Sequence, residues 1–209
     1  KRNEQIFGLK KVVIFNIIVS FLILFAFFWS ISLNVVNALT ITVVFIAFLS
    51  FSNVKAQESS IFDVARNGSL MEIKALTNNN PDIINNLSKE GYSVLTLACY
   101  YSNNEVASYL IEHVKDVNSK SGYGTPLMAA TVKKNSYLVK LLLENNANPN
   151  LTDQNNSTAL HFSVIFNQQE IIELLMKYKA NPNIKDNRGN TALDYAKITN
   201  NNNIIQLLK

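Results

Sequence analysis

Two histidines, His113 and His161, and a single cysteine, Cys99, are the side chains of this sequence best suited to acid–base, nucleophilic or metal chemistry. A zinc-type site needs three or four such ligands, and no second histidine or cysteine accompanies His161 at a ligand spacing. The sequence also has no glycine loop that would cradle phosphate, no paired-carboxylate motif and no serine in a nucleophile motif. We therefore expect no catalytic residue, no metal site, no cofactor and no enzymatic activity.

A four-residue phrase recurs between Ser93 and Asp194. Its four copies are Ser93–Thr96, Thr125–Met128, Thr158–His161 and Thr191–Asp194. The interval between them is about 33 residues, and a period in this range predicts structural units that stack on their neighbours. Because a stack of similar units presents an extended surface, the function should depend on what that surface binds.

Each period also predicts the same pair of helices. The Thr or Ser of the phrase can cap a short helix, and Pro126 suits a first helical position. A second, longer helix follows, with aliphatic residues spaced i, i+3 and i+4, as in Leu138, Leu141 and Leu142. An asparagine follows three of the phrases at the same distance each time, at positions 118, 150 and 183. Each unit is therefore predicted to consist of a turn, a short helix, a longer helix and a loop.

This pattern resembles the ankyrin repeat, whose consensus is roughly G-x-T-P-L-H-x-A-A, then V-V-x-L-L-L, then G-A-x-x-N. The resemblance is fullest in residues 122–153 and 154–186, good in 90–121 and 187–209, and degenerate in 59–89. It implies an all-α solenoid of about five helix-turn-helix repeats, within a repeat domain over residues 57–209. At the turn where the family has glycine, this chain has Tyr123 and Asn156, so we expect the turn at Tyr123 to differ in shape.

The resemblance also assigns structural roles to the residues that could do chemistry. His161 stands at the histidine of the family phrase, which implies a hydrogen-bonding group that ties neighbouring turns together. Cys99 stands where the family has a small buried alanine, which implies an inert core thiol. His113 falls at the end of a second helix, where we expect it on the surface.

The resemblance places a protein-binding surface at the end of each short helix. The seventh and eighth residues after the Thr or Ser of each phrase line the concave face in the family, and the turn tips flank it. The protein-binding residues expected here are Tyr92, Tyr100, Tyr101, Tyr123, Lys133, Ile165, Phe166 and Arg188, with Val132, Ile198 and Thr199 at the equivalent positions. Tyr, Phe and Arg are residue types that anchor interfaces. The alternative is that Tyr100, Ile165 and Phe166 pack between adjacent repeats as core residues.

The charge of the chain is unevenly distributed. The formal net charge is +4, but all of it comes from residues 1–56, which hold five basic residues and one acid. Residues 57–209 hold 14 basic and 14 acidic residues. Because the repeats have no net positive charge to neutralise phosphates, we expect no nucleic-acid partner.

Residues 1–56 have the composition of a signal peptide or membrane anchor. No charged residue, glycine or proline lies between Lys11 and Lys55. Val12–Leu33 is long enough to cross a bilayer, and Ala38–Phe51 is a second, shorter apolar stretch. Val54-Lys55-Ala56 has the small-residue form of a signal-peptidase site, and the basic residues that precede Val12 should stay in the cytoplasm.

Three topologies fit this segment. It could be an export signal cleaved after Ala56, or an uncleaved anchor formed by Val12–Leu33, and both place the repeats outside the cytoplasm. It could also form a helical hairpin that returns the repeats to the cytoplasm. We expect export to the periplasm or another extracytoplasmic space, or membrane anchoring through residues 12–51.

Two functional hypotheses follow. The first is a monomeric protein-binding scaffold, exported or tethered, which the resemblance suggests is accessory to or an inhibitor of a secreted protein. The second is a membrane-embedded structural organiser with cytoplasmic repeats, in which the apolar segments do the recognising. Removal of residues 1–56 separates them, because the scaffold would keep its partner and the organiser would lose it.

Overall fold

A computed structural model of the chain describes residues 18–23, 60–121 and 124–209. Contacts divide the chain into two units, residues 1–58 and residues 59–209. The predicted domain boundary after residue 56 stays a prediction. The apolar stretches Val12–Leu33 and Ala38–Phe51 and the cleavage site after Ala56 lie outside the described residues, apart from positions 18–23.

Residues 18–23 are helical and expose Phe21 and Leu22. Within the three described ranges, no helix combines the length and the apolar character needed to span a bilayer.

The described residues of the second unit form five pairs of helices joined by loops. A 3-10 helix at Pro81–Asn85 follows the first pair. The pairs are α1 Ile61–Asn67 and α2 Leu70–Asn79; α3 Val94–Tyr100 and α4 Asn104–His113; α5 Pro126–Val132 and α6 Ser136–Glu144; α7 Ala159–Ile165 and α8 Gln169–Lys177; α9 Ala192–Ile198 and α10 Asn202–Leu207. The described part of the chain contains no β-strand, which confirms the predicted all-α repeat architecture.

The helices of these five pairs form two layers. The first helices of successive pairs pack side by side, from α1 through α9, and the second helices pack from α2 through α10 in the same order. The apolar core lies between the layers, and Leu110, Leu142 and Leu175 in the second helices are fully buried there. Each repeat therefore buries its apolar side chains against its neighbours as well as within itself.

Four of the five first helices begin where the recurring phrase predicts, and α1 begins in the same way after Ser60. Ser60, Ser93, Thr125, Thr158 and Thr191 are the N-cap residues, and each accepts a hydrogen bond from a first-turn backbone N–H. Pro126 occupies the start of α5, where it removes no helical hydrogen bond. At α9 the backbone N–H and then the hydroxyl of Thr191 bind the Asp194 carboxylate, and these hydrogen bonds hold the pKa of Asp194 at about 2.

His161 has the structural role that the resemblance implies. It is 1% exposed, and its Nδ1 accepts hydrogen bonds from the backbone N–H (3.1 Å) and the hydroxyl (2.9 Å) of Thr158. With Nδ1 as acceptor, Nε2 carries the proton and donates to the carbonyl of Asn190, at 3.3 Å. The imidazole therefore caps α7 and links the fourth repeat to the turn of the fifth.

The periodic asparagines link successive repeats. The Oδ1 atom of Asn118 accepts from the backbone N–H of Asn148 (2.7 Å), and its amide donates to the carbonyl of Asn146. One repeat later, Asn150 makes the same two bonds to Asn181 (2.6 Å) and Lys179. The asparagine side chain has both a donor and an acceptor. It therefore satisfies backbone groups that lack a helical partner at the end of the second helix of the following repeat.

The turn before α5 is shorter than its counterparts. Backbone hydrogen bonds join Ser121 to Gly124, whereas the turns before α7 and α9 join Asp153 to Ser157 and Asp186 to Asn190, one residue further apart. Gly124 has a φ of +109°, a conformation that suits glycine. The difference in shape expected at Tyr123 stays a prediction, because Gly122 and Tyr123 lie outside the described residues.

Candidate functional site

The candidate surface is formed by the C-terminal ends of the first helices. The seventh residue after each phrase's Thr or Ser is the last helical residue, and the eighth is the C-cap, as predicted. The four C-caps have nearly the same backbone conformation, with φ between −83° and −90° and ψ between −1° and 7°. Equivalent backbone geometry in adjacent, packed helices brings these positions into one row, which we call the first-helix face: Tyr100, Tyr101, Val132, Lys133, Ile165, Phe166, Ile198 and Thr199.

The residues that follow each C-cap hold this geometry in place. The next residue has a positive φ of 52–57° in each case: Ser102, Lys134, Asn167 and Asn200. The residue after that is Asn in three of these turns, and its amide reaches the preceding repeat, as when Asn103 donates to the carbonyl of Gly68 at 2.8 Å. Asn135 and Asn201 also cap the second helices that follow them.

The fourth repeat departs from this arrangement. Gln168 takes the asparagine position, is 8% exposed, and neither its amide nitrogen nor its amide oxygen has a partner in the described part of the protein. The longer side chain does not reproduce the capping bond that Asn135 and Asn201 make. The turn next to Phe166 is therefore held by fewer side-chain hydrogen bonds than its counterparts.

The apolar side chains of the first-helix face are exposed to solvent. Tyr100 is 45% exposed, Tyr101 48%, Ile165 45% and Phe166 41%, and Ile198 is exposed as well. By contrast, Leu97, one turn earlier in α3, is 6% exposed. These side chains are therefore not part of the inter-repeat core.

Side chains from three repeats contact one another along part of this face. The Tyr100 and Tyr101 rings meet edge to face, with centroids 5.5 Å apart. The Lys133 Nζ lies 4.6 Å from the Tyr100 ring centroid, and the Arg66 guanidinium lies 6.0 Å from that of Tyr101. Both distances are within the range of cation–π attraction. We call Arg66, Tyr101, Tyr100 and Lys133 the aromatic row.

The turn-tip residues predicted for the site are placed differently from one another. Arg188 is exposed, and its backbone N–H donates to the Asp186 carboxylate. Tyr92 is half-buried and packs against the core, so its ring contributes less accessible surface than expected. Tyr123 lies outside the described residues. The predicted role of all these residues in protein binding stays a prediction.

The residues that could do chemistry are not gathered into a site. Cys99 is fully buried, and desolvation raises the pKa of its thiol, which agrees with an inert core residue. His113 is exposed at the end of α4, as expected, and stacks on Tyr109. Residues 18–23, 60–121 and 124–209 hold no group of three or more His, Cys, Asp or Glu side chains that could bind a metal ion.

Two features of the surface are missing from the sequence-based prediction. Arg66 belongs to the aromatic row, but it lies in the degenerate first repeat, whose connection between α1 and α2 is shorter. Tyr137 is 54% exposed on α6, in the second-helix layer, where its hydroxyl pairs with that of Ser108 at 3.1 Å. Ser60 caps α1 as the phrase residues cap the other first helices, and Arg66 is the sixth residue after it, next to the positions equivalent to Tyr100 and Tyr101.

Comparison with known families agrees with this architecture. A family model described as ankyrin repeats (3 copies) matches residues 61–153 and 131–209, which together cover more than half of the chain. Among curated proteins, the search found no match to this sequence.

Proposed function

The chain belongs to the ankyrin-repeat family, and from that premise we propose that residues 59–209 bind a protein partner through the first-helix face. Ankyrin repeats are in general scaffolds for protein–protein interaction, and the family fold is not itself an enzyme. The observation that carries the proposal is the run of exposed aromatic and aliphatic side chains that the repeat architecture does not need for its core: Tyr100, Tyr101, Ile165, Phe166 and Ile198.

The composition of this face fits a protein interface better than a solvated framework. Tyr, Phe and Arg are enriched where protein interfaces are most deeply buried. The repeated turns fix the backbone that carries these side chains, so little backbone conformational freedom is lost on binding. A partner that covers the face would remove exposed apolar surface at Ile165, Phe166 and the ring of Tyr101 from water.

We expect Tyr101→Ala and Phe166→Ala each to weaken partner binding by about 1–3 kcal/mol, the range of interface anchors. The melting temperature should change little, because both side chains are more than 40% exposed (Tyr101 48%, Phe166 41%). The measurement is titration calorimetry of each variant with a partner isolated using the full chain as bait, together with thermal denaturation.

Tyr137→Ala is the matched control for this test. It removes a tyrosine of similar exposure from the second-helix side, so partner affinity should stay the same. If Tyr101→Ala and Phe166→Ala lower the melting temperature and leave affinity unchanged, the two residues serve packing, and the first-helix face is not the binding surface.

We also propose that the repeats lie outside the cytoplasm, either as a processed protein that begins at Gln57 or as a protein tethered by Val12–Leu33. Their partner would then be a secreted protein. The support is the asymmetric distribution of charge: five basic residues and one acid within positions 1–56, with an uncharged stretch between Lys11 and Lys55. The alternative, an organiser with cytoplasmic repeats, uses the same segment as a hairpin.

A reporter that is active only outside the cytoplasm, fused after Lys209, tests the location. We expect this fusion to be active and a fusion to a reporter restricted to the cytoplasm to be inactive. The reverse pattern would contradict export and favour the hairpin. Deletion of residues 1–56 then asks whether partner binding survives without the apolar segment, as the scaffold requires.

A further inference from the structure

The first-helix face carries positive charge and no negative charge across the middle of the stack. In the second, third and fourth repeats, the first helices and the turns that follow them span residues 93–103, 125–135 and 158–168. These ranges contain no Asp or Glu, and their charged residues are Lys133 and Lys134. In α1 and α9, at the two ends, each acid is paired with a base on its own helix, Asp63 with Arg66 at 3.0 Å and Asp194 with Lys197 at 3.4 Å.

The opposite layer carries the negative charge. The second helices α4, α6 and α8 hold five acids against two lysines: Glu105, Glu112, Glu144, Glu170 and Glu173, with Lys140 and Lys177. The net charge of zero over residues 57–209 therefore conceals a division between two faces.

The turns beside the first-helix face add no free carboxylate in the third and fourth repeats. Asp153 and Asp186 are each 8% exposed, and each accepts two backbone N–H bonds inside its own turn. Glu90, at the start of the second repeat, is an exposed carboxylate whose pKa is lowered by hydrogen bonds from Ser88 and its own backbone, with a further contribution from the charge of Arg66. Lys133 and its neighbour Lys134 are therefore the exposed charges at the centre of the face, and the Lys133 Nζ lies 4.6 Å from the centroid of the Tyr100 ring.

We infer that the bound segment of the partner is an acidic, apolar peptide, with a carboxylate opposite Lys133 and apolar side chains against Ile165 and Phe166. This inference rests on the proposed function. It adds the chemistry of the ligand and the orientation of its acidic and apolar parts along the stack. On the face, Tyr100 and Lys133 lie in the second and third repeats, and the apolar residues Ile165, Phe166 and Ile198 lie in the fourth and fifth. Complementary charge favours this orientation, and the acidic second-helix side repels the same ligand.

Single-stranded nucleic acid is also anionic and stacks on aromatic rings, but the face suits it less well. A nucleic-acid groove places basic residues along the whole path of the backbone. Here Ile165, Phe166 and Ile198 continue the surface, and Lys197, the basic residue beside Ile198, is paired with Asp194 at 3.4 Å, so phosphates over the fourth repeat would lie on apolar side chains. We therefore assign the face to a peptide.

The test is to select a random dodecapeptide library displayed on phage against the immobilised full chain in detergent micelles. We expect the bound peptides to combine Asp or Glu with aliphatic or aromatic residues. A synthetic peptide from this selection should bind Lys133→Glu about tenfold more weakly and Lys133→Gln with a smaller loss, and its affinity should fall as salt rises. Lys140→Glu makes the same change of charge on the second-helix side and should bind as the unaltered chain does.

The outcomes separate this inference from the proposed function. Peptides that bind the face and depend on Phe166 but show no enrichment of acids would overturn the acidic ligand and leave the scaffold proposal standing. No selectable peptide at all would count against both. Tight binding of oligothymidylate that is lost in Lys133→Glu would replace the peptide with nucleic acid. Circular dichroism of each variant checks that its fold is retained.

Discussion

Replacing Leu142 with alanine should lower the free energy of unfolding by about 2–5 kcal/mol, the range for a fully buried leucine truncated in a packed core. Leu142 is 0% exposed on α6, in the middle repeat, where the core receives side chains from both layers. Because α6 packs on α5 of its own repeat and on α4 and α8 of the two adjacent repeats, a cavity here weakens the stack at its centre. Leu175→Ala, at the equivalent position of α8, should have an effect of similar size.

Urea denaturation followed by circular dichroism measures this loss. Leu141→Ala is the closest control, since Leu141 is only partly buried beside Leu142 and should lose less. Lys140→Ala, on the exposed side of the same helix, should stay within about 0.5 kcal/mol of the unaltered protein. Equal losses at Leu141 and Leu142 would contradict the assignment of the buried stripe, and a β-type spectrum of the repeats would overturn the fold.

The sequence predicted the boundaries of the first helices closely because two local signals agree at each one. A Ser or Thr that can cap a helix precedes each Leu of the phrase, and each helix runs for seven residues from that cap. The pattern predicted the shape of the turn before α5 less well. That turn is one residue shorter, and by comparison with the family consensus Tyr123 stands where the other repeats have Gly or Asn.

The exposure of the candidate site could not be predicted from periodicity. Tyr100 and Ile165 lie at recurring apolar positions, which in most helices face the core. Whether such a position is covered depends on the neighbouring repeat, and here Leu97 is covered while Tyr100, one turn later, is 45% exposed. The aromatic row also needs contacts between repeats, such as that of Lys133 with Tyr100, and sequence spacing does not reveal them.

The role of His161 was predictable from the family phrase, whereas its partner in the next repeat required the structure. The phrase identifies a residue at the third position of a helix, where a side chain can return a hydrogen bond to the N-cap. The acceptor of the second imidazole bond is the carbonyl of Asn190, 29 residues away. Asp194, the equivalent residue of the fifth repeat, makes the same capping bonds to Thr191 with a carboxylate.

His161→Ala should lower the free energy of unfolding by about 2–4 kcal/mol, through loss of a buried side chain and of its hydrogen bonds. The backbone N–H and hydroxyl of Thr158 would lose their acceptor, and the fourth and fifth repeats would lose the link to Asn190. The Asn190 carbonyl would keep its bond from the backbone N–H of Asp186, which limits the loss.

His161→Gln separates the two contributions of the imidazole. Glutamine at this position can still accept from the N-cap residue, so it should recover the capping part, about 1 kcal/mol, without the link to Asn190. His113→Ala removes an exposed imidazole at the end of α4 and should cost less than about 1 kcal/mol. Chemical denaturation of the three variants gives the comparison. If glutamine proves no better than alanine at position 161, capping of α7 is not what the histidine contributes, and the link between repeats accounts for its stabilising effect.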